Sequence, residues 1–214
     1  MVAQKIHLVR HGEVHNPERV LYGTMPGFGL SDLGHRMAAS AAGALFDQGV
    51  PVRRIISSPL QRAQESAAPW AERFGLPIDT DARIIEPFNR FEGRTFNFGA
   101  QVMRNPSTWG WVLNPLRPSW GEPYESIAAR MLAAMADAHA SVPDGDVVLV
   151  SHQLPIWMVH RKLQRQQLAH DPRKRRCTLS SITTFEYRGD RFVETGYQDP
   201  TEGLLDQSVD LGAV

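Results

Sequence analysis

The chain has 214 residues, 42% of them hydrophobic and 21% charged, which is ordinary globular usage and excludes a disordered or fibrous chain. Its 23 basic and 23 acidic side chains cancel, so the molecule as a whole has no electrostatic pull toward nucleic acid or an anionic membrane, and any anion preference must be local. A lone cysteine, Cys177, permits no internal disulfide and no thiolate metal cluster, no signal-peptide run opens the sequence, and no stretch approaches the roughly 20 apolar residues of a membrane span; a cytoplasmic setting is expected.

Ile6-His7-Leu8-Val9 is a short apolar run ending in Arg10-His11-Gly12, which predicts a buried strand opening into a polar loop. Leu33, Met37, Ala41 and Leu45 recur every fourth position, predicting a helix over 31–48 with Ser31 as its cap. Residues 54–57 read as a second strand, and 59–74 as a second helix stopped by Gly75 and Pro77. Short extended pieces are expected at Ile78 and at Ile84-Ile85-Glu86. Between 88 and 123 Asn, Gly, Pro and Trp are frequent and periodicity is weak, so this stretch reads as an inserted lid, with Phe96, Trp109, Trp111 and Trp120 as cover for the core. Helical spacing returns over 124–140 through Ile127, Met131 and Met135. Val147-Val148-Leu149-Val150 is the most strand-like run; it ends in Ser151-His152 and leads into a helix over about 154–168. Residues 180–187 and 191–197 alternate about Gly189-Asp190 as a hairpin does, and 199–214 read as a tail.

Strands separated by helices predict an α/β three-layer sandwich, a mostly parallel central sheet with helices on both faces. The expected organisation is a single domain over 1–198, with the lid at 88–123, and then the tail. Ligands in such sheets sit beyond the carboxyl ends of the strands, which is where Arg10-His11 and Ser151-His152 fall. An arbitrary histidine is most often a satisfied loop residue; two at such strand ends can converge, one as a neutral nucleophile and one as a cationic clamp on an anion. Gly12 would let the backbone approach that anion.

Arg10-His11-Gly12-Glu13 after an apolar strand resembles the signature of the histidine phosphatase superfamily, also called the phosphoglycerate mutase-like family. Ser57-Ser58-Pro59-Leu60-Gln61-Arg62-Ala63 resembles that family's second segment, Ile85-Glu86 followed by Phe91-Glu92-Gly93 its acid segment, and Val150-Ser151-His152 its second-histidine segment. The resemblance implies that His11 becomes phosphohistidine, that Arg10, Arg62 and His152 hold the phosphoryl group, and that Glu86 is the general acid and base, with Glu13 and Glu92 as competing carboxyls. Physically, planar guanidinium forks suit the equatorial oxygens of a transferring phosphoryl group. Asn16 and Gln153 join as candidate phosphate ligands, although Asn16 lies one residue early and can equally cap a turn, and Gln153 stands where the family often has Gly.

The resemblance further implies a metal-independent phosphomonoesterase without cofactor, taking a small phosphorylated metabolite and releasing inorganic phosphate. Mutase-type phosphotransfer on the same site is the alternative, disfavoured because the long tail and insertions of the family's glycolytic mutases are missing. A non-catalytic phosphate- or protein-binding module is a second alternative, and a metal hydrolase lacks ligand spacing. Membrane and nucleic acid are not expected as partners; a homodimer is admitted. Between 161 and 176 seven basic side chains face one acid, Asp171, and this segment reads as a solvated helix end and loop. Cys177 reads as a small buried hydrophobe.

Overall fold

β1 (Lys5–Arg10) is buried from its second residue onward, as a strand covered on both faces must be. It pairs in parallel with β4 (Asp146–Ser151) on one side and antiparallel with β5 (Ile182–Arg188) on the other. β4 pairs in parallel with β2 (Val52–Ser57), and β2 with β3 (Ile78–Thr80), while β5 turns into the antiparallel edge strand β6 (Arg191–Gln198). One six-stranded sheet results, in the order β3–β2–β4–β1–β5–β6. The structure, a computed structural model, describes residues 2–90, 92–95 and 121–209.

Alternation along β1 and β4 sends side chains to two separate cores. Ile6, Leu8 and Leu149 meet Met131 and Met135 of α3 (Tyr124–Ala140) and Ile156 and Val159 of α4 (Gln153–Leu163). On the opposite face Val9, Val148 and Val150 meet Ala41 and Leu45 of α1 (Asp32–Asp47) and Ala63, Ala67 and Trp70 of α2 (Gln61–Phe74). This is the expected mostly parallel α/β sandwich. Ser31 caps α1, its hydroxyl accepting from Gly34 N–H at 3.0 Å. Gly75 ends α2 in the left-handed region at φ 65°.

Three local expectations change. The piece expected to be extended at 84–86 is preceded by a 3-10 turn, Ala82–Ile84, because Asp81 accepts from Arg83 N–H and caps it. α4 stops at Leu163 instead of running on to 168, because Arg165 takes a left-handed φ of 55° that a continuing helix does not allow. Of the residues read as a tail, 199–209 pack on the body: Leu204 and Leu205 of α5 (Glu202–Leu205) join Leu33, Met37 and Leu179, and Val209 N–H donates to Glu13 Oε1 at 2.7 Å. Most of the expected lid, 96–120 with its tryptophans, lies outside the described residues. Its flanks are tied by bridges between Val20 and Thr95 and between Asn89 and Gly121. Among the described residues no helix is long and apolar enough to cross a membrane.

Candidate active site

Parallel pairing of β1 with β4 puts Arg10 opposite Ser151, so the residues that follow leave the sheet side by side. His11 N–H donates to Ser151 O at 3.1 Å, and the rings of His11 and His152 lie 5.2 Å apart between centroids. β2 is the other neighbour of β4, and its carboxyl end feeds the first turn of α2, which carries Arg62. Three adjacent strand ends thus deliver His11, His152 and Arg62 to one place, all of them buried.

The tautomer of His11 follows from its neighbour. Its Nδ1 is 2.7 Å from the Gly12 carbonyl, which can only accept, so Nδ1 carries a ring proton, and in the neutral imidazole the lone pair is then on Nε2. Gly12 has a packing reason as well as the expected one. A Cβ there would sit 2.4 Å from Gly34 O, while its N–H donates to Ser66 Oγ at 3.0 Å, and Ser66 donates in turn to Arg62 O at 2.7 Å. The nucleophile loop is therefore clamped between the start of α1 and the helix that carries Arg62.

Arg10 Nη1 donates to Cys177 O at 2.7 Å, and Arg62 Nη2 donates to Gly23 O at 2.7 Å while its guanidinium lies 4.8 Å from the Tyr22 ring centre. Arg62 is 1% exposed, is ion-paired with no carboxylate among the described residues, and its Nε makes no hydrogen bond among them; burial pulls its pKa below the usual guanidinium value. Arg175, which the sequence reading left in a solvated segment, is also buried and feels both Glu86 and Arg10. The other cations of that segment behave as surface groups: Lys162 pairs with Glu125, Arg173 with Asp171 and Arg176 with Glu194.

His152 corrects an expectation. Burial first, and then the nearby Arg62, His11 and Arg10, hold its imidazole well below its ordinary pKa, which favours the neutral ring over the expected cationic clamp. Its Nε2 is 2.8 Å from Ser58 Oγ, and its Nδ1 makes no hydrogen bond, lying 3.8 Å from Glu86 Oε2. Ser58 is a site neighbour that the sequence reading did not single out.

Glu86 is the carboxyl that the fold isolates. Burial raises its pKa to about 7 against the pull of Arg62, Arg175, Arg10 and Arg130. Its rivals are occupied elsewhere: Glu13 accepts from Ser31 Oγ at 2.5 Å and from Val209, and Glu92 accepts from Thr24 and Asn89. Asn16 takes the turn role, its amide donating to Val20 O at 2.8 Å and accepting from Val20 N–H at 3.0 Å. Gln153 is engaged with protein groups, donating to Cys177 O at 3.2 Å and accepting from Arg175 at 3.3 Å, which makes it a support for the guanidiniums. Among the described residues no group of three or more His, Cys, Asp or Glu is placed to hold a metal ion.

A family model described as the histidine phosphatase superfamily (branch 1) matches residues 6–200. The uncharacterized protein Rv0525 of Mycobacterium tuberculosis (strain ATCC 25618 / H37Rv) is 49% identical over 196 residues, 92% of this chain and 96% of its own. A 2,3-bisphosphoglycerate-dependent phosphoglycerate mutase of Thermoplasma acidophilum is 30% identical over 151 residues, 70% of each chain. A solved mycobacterial glucosyl-3-phosphoglycerate phosphatase complexed with VO3 superimposes with a TM-score of 0.72 at 27% identity, covering 90% of this chain and 97% of that one.

Proposed function

The chain belongs to the histidine phosphatase superfamily, and from that premise we propose that it hydrolyses a phosphomonoester of a small metabolite through a phosphohistidine at His11. The observation that carries this reading is the convergence of the buried Arg10 and Arg62 guanidiniums on the buried imidazoles of His11 and His152 at three adjacent strand ends. Arg10 and Arg62 are 0% and 1% exposed, and the one carboxyl among them, Glu86, is half protonated near pH 7. Two buried guanidiniums beside two buried imidazoles, with a carboxyl that can carry a proton, suit the binding of a phosphate dianion.

In the first step His11 Nε2 forms a bond to phosphorus as the ester P–O bond breaks, and protonated Glu86 gives its proton to the leaving oxygen. In the second, the carboxylate takes a proton from water, whose oxygen attacks phosphorus and returns His11 and inorganic phosphate. Arg10 and Arg62 bear on the equatorial oxygens throughout, and the Nδ1 of His152 is a third donor once its ring proton is placed there; each preorganised donor of this kind is typically worth about 3 kcal/mol in the barrier.

The relatives include a phosphatase and a mutase, so the fate of the phosphoryl group is the point to test. Acid-quenched reactions with a 32P-labelled ester should trap acid-labile label on wild type and none on His11→Ala, with inorganic phosphate as the product and no effect of chelators. Isomerised ester without released phosphate would establish mutase chemistry instead, no trapped label and no turnover of any ester would leave a binding module, and turnover in His11→Ala as fast as in wild type would remove His11 as the nucleophile.

A further inference from the structure

The ring of His152 is aimed by a hydroxyl. His152 holds the N-cap position of α4, yet its side chain makes no cap bond to that helix, so the helix end does not orient the imidazole. Ser58 does: its Oγ lies 2.8 Å from His152 Nε2, and both residues are 0% exposed. Ser58 is itself fixed by the sheet. β2 and β4 pair Ser57 with Val150, and one residue further Ser58 N–H donates to Val150 O at 2.9 Å. Its carbonyl is held as well, accepting from Ser57 Oγ at 3.0 Å and from Gln64 Nε2 at 2.8 Å. The strand end that leads to Arg62 therefore also carries this hydroxyl to the Nε2 edge of the second imidazole.

A hydroxyl has one proton to give and lone pairs with which to accept. Among the described residues Ser58 Oγ has two hydrogen-bond neighbours, Leu60 N–H at 3.4 Å and His152 Nε2 at 2.8 Å. Leu60 N–H can only donate, so the serine accepts on that side and gives its own proton to Nε2. The neutral ring then carries its proton on Nδ1, because the hydrogen bond at one ring nitrogen decides the state of the other. The opposite edge of the ring is consistent with this. Nδ1 is turned toward Glu86, 3.8 Å from Oε2, where an N–H faces the carboxylate favourably and a lone pair would not. The reverse tautomer leaves the serine proton without an acceptor among the described residues.

We propose that Ser58 is a positioning residue for phosphoryl transfer: by donating to Nε2 it sets the ring proton of His152 on Nδ1, and so makes the second histidine a donor to a phosphoryl oxygen without a positive charge. Its effect on rate rests on the phosphohydrolase reading above, whereas the tautomer belongs to the unliganded protein. Long-range 1H–15N correlation spectra of protein labelled with 15N-histidine test it, since protonated and lone-pair ring nitrogens have well separated shifts; the His152 signals are those lost in His152→Asn. Unliganded wild type at neutral pH should show a protonated Nδ1 and a lone-pair Nε2 at His152. Ser58→Ala should move the ring to the other tautomer or to a mixture of the two, and Ser58→Thr should keep it. On an alkyl phosphate Ser58→Ala should lower kcat/KM about tenfold, one donor of several being misplaced, and Ser58→Thr should stay within about threefold of wild type. Asn at position 152 keeps an amide donor in the place of Nδ1 and has no counterpart of Nε2, so in the His152→Asn background Ser58→Ala should cost less than about twofold. A wild-type ring protonated at Nε2, alone or on both nitrogens, overturns the inference, as does an unchanged tautomer in Ser58→Ala. A loss that persists in full in the His152→Asn background overturns it too, because a merely structural role would behave in that way. If Ser58→Ala does not fold, the wild-type spectrum and Ser58→Thr decide. No phosphate release from any ester, with the wild-type tautomer as stated, overturns the phosphohydrolase reading instead.

Discussion

Two buried histidines lie four residues apart, one inside β1 and one just past its carboxyl end. His7, in the middle of β1, is 3% exposed and fully partnered: Nδ1 is 2.9 Å from Thr184 Oγ1 and Nε2 is 2.9 Å from Asp146 Oδ2, whose other oxygen accepts from Lys5 N–H at 3.1 Å. His11, just beyond the strand, is 2% exposed, and its surroundings are Arg10, Arg62 and a His152 whose Nδ1 is unpartnered. Burial alone does not separate the two. What separates them is the company they keep: a carboxylate and a hydroxyl hold both ring nitrogens of His7, whereas guanidiniums and a second imidazole gather around His11.

The sharpest way to break this contrast is to remove each histidine in turn. His11→Ala should lower kcat by about 10⁴-fold or more, because the covalent route is lost with the nucleophile. It should change thermal unfolding of the unliganded protein little. His7→Ala should do the reverse, costing about 3 kcal/mol because Asp146 is left buried without its ring partner, while activity per folded molecule is kept. Urea unfolding beside steady-state rates checks both; a His7→Ala protein that is stable but inactive would sink the division into a structural and a functional histidine.

A second effect distinguishes the acid from the anion receptor. Glu86→Gln should lower kcat by about 10²–10³-fold for alkyl phosphates, whose leaving oxygen needs a proton, and much less in the phosphorylation step for p-nitrophenyl phosphate, whose leaving group does not. In wild type kcat/KM should fall as pH rises through about 7, where Glu86 loses the proton it must donate. Equal losses on both ester types, with the alkaline limb unchanged, would assign the acid role to another group.

How far these features were legible in the sequence depended on where along the chain the information lies. The strand ends were readable because apolar runs break abruptly at Arg10-His11 and Ser151-His152, and parallel pairing then forces the two sites together. Glu86 came from its motif position, since neither periodicity nor spacing separates it from Glu13 or Glu92; the structure adds that those two carboxylates accept hydrogen bonds from protein groups. Arg175 could not be read, because in the string Arg173-Lys174-Arg175-Arg176 all four residues have the same chemistry. The short turn Pro172–Lys174 and a β-region backbone at Arg175 decide which one goes inward. The end of α4 was missed for a similar reason: the left-handed residue is Arg165 rather than a glycine, so composition gives no stop signal. The lowered pKa of His152 was missed because it comes first from burial and then from guanidiniums on distant segments, neither of which the string displays.

The smallest effect concerns stability and follows from the same carboxyl. The folded-state pKa of Glu86 is about 7 against an ordinary value of 4.5, so between those values the native state binds a proton that the unfolded chain has lost. Stability then falls as pH rises through that window, the opposite of a salt-bridged carboxylate, and the difference approaches roughly 3 kcal/mol by pH 8. Below pH 4.5 both states are neutral and the term vanishes. Glu86→Gln, which stays neutral throughout, should therefore match wild type in acid and exceed it by on the order of 2–3 kcal/mol at pH 8 when unliganded protein is unfolded in urea. Identical pH profiles for the two proteins would mean that the surrounding arginines offset the burial of Glu86, and the group would then be an ordinary counter-ion like Asp146, erasing the difference between the surroundings of His7 and those of His11.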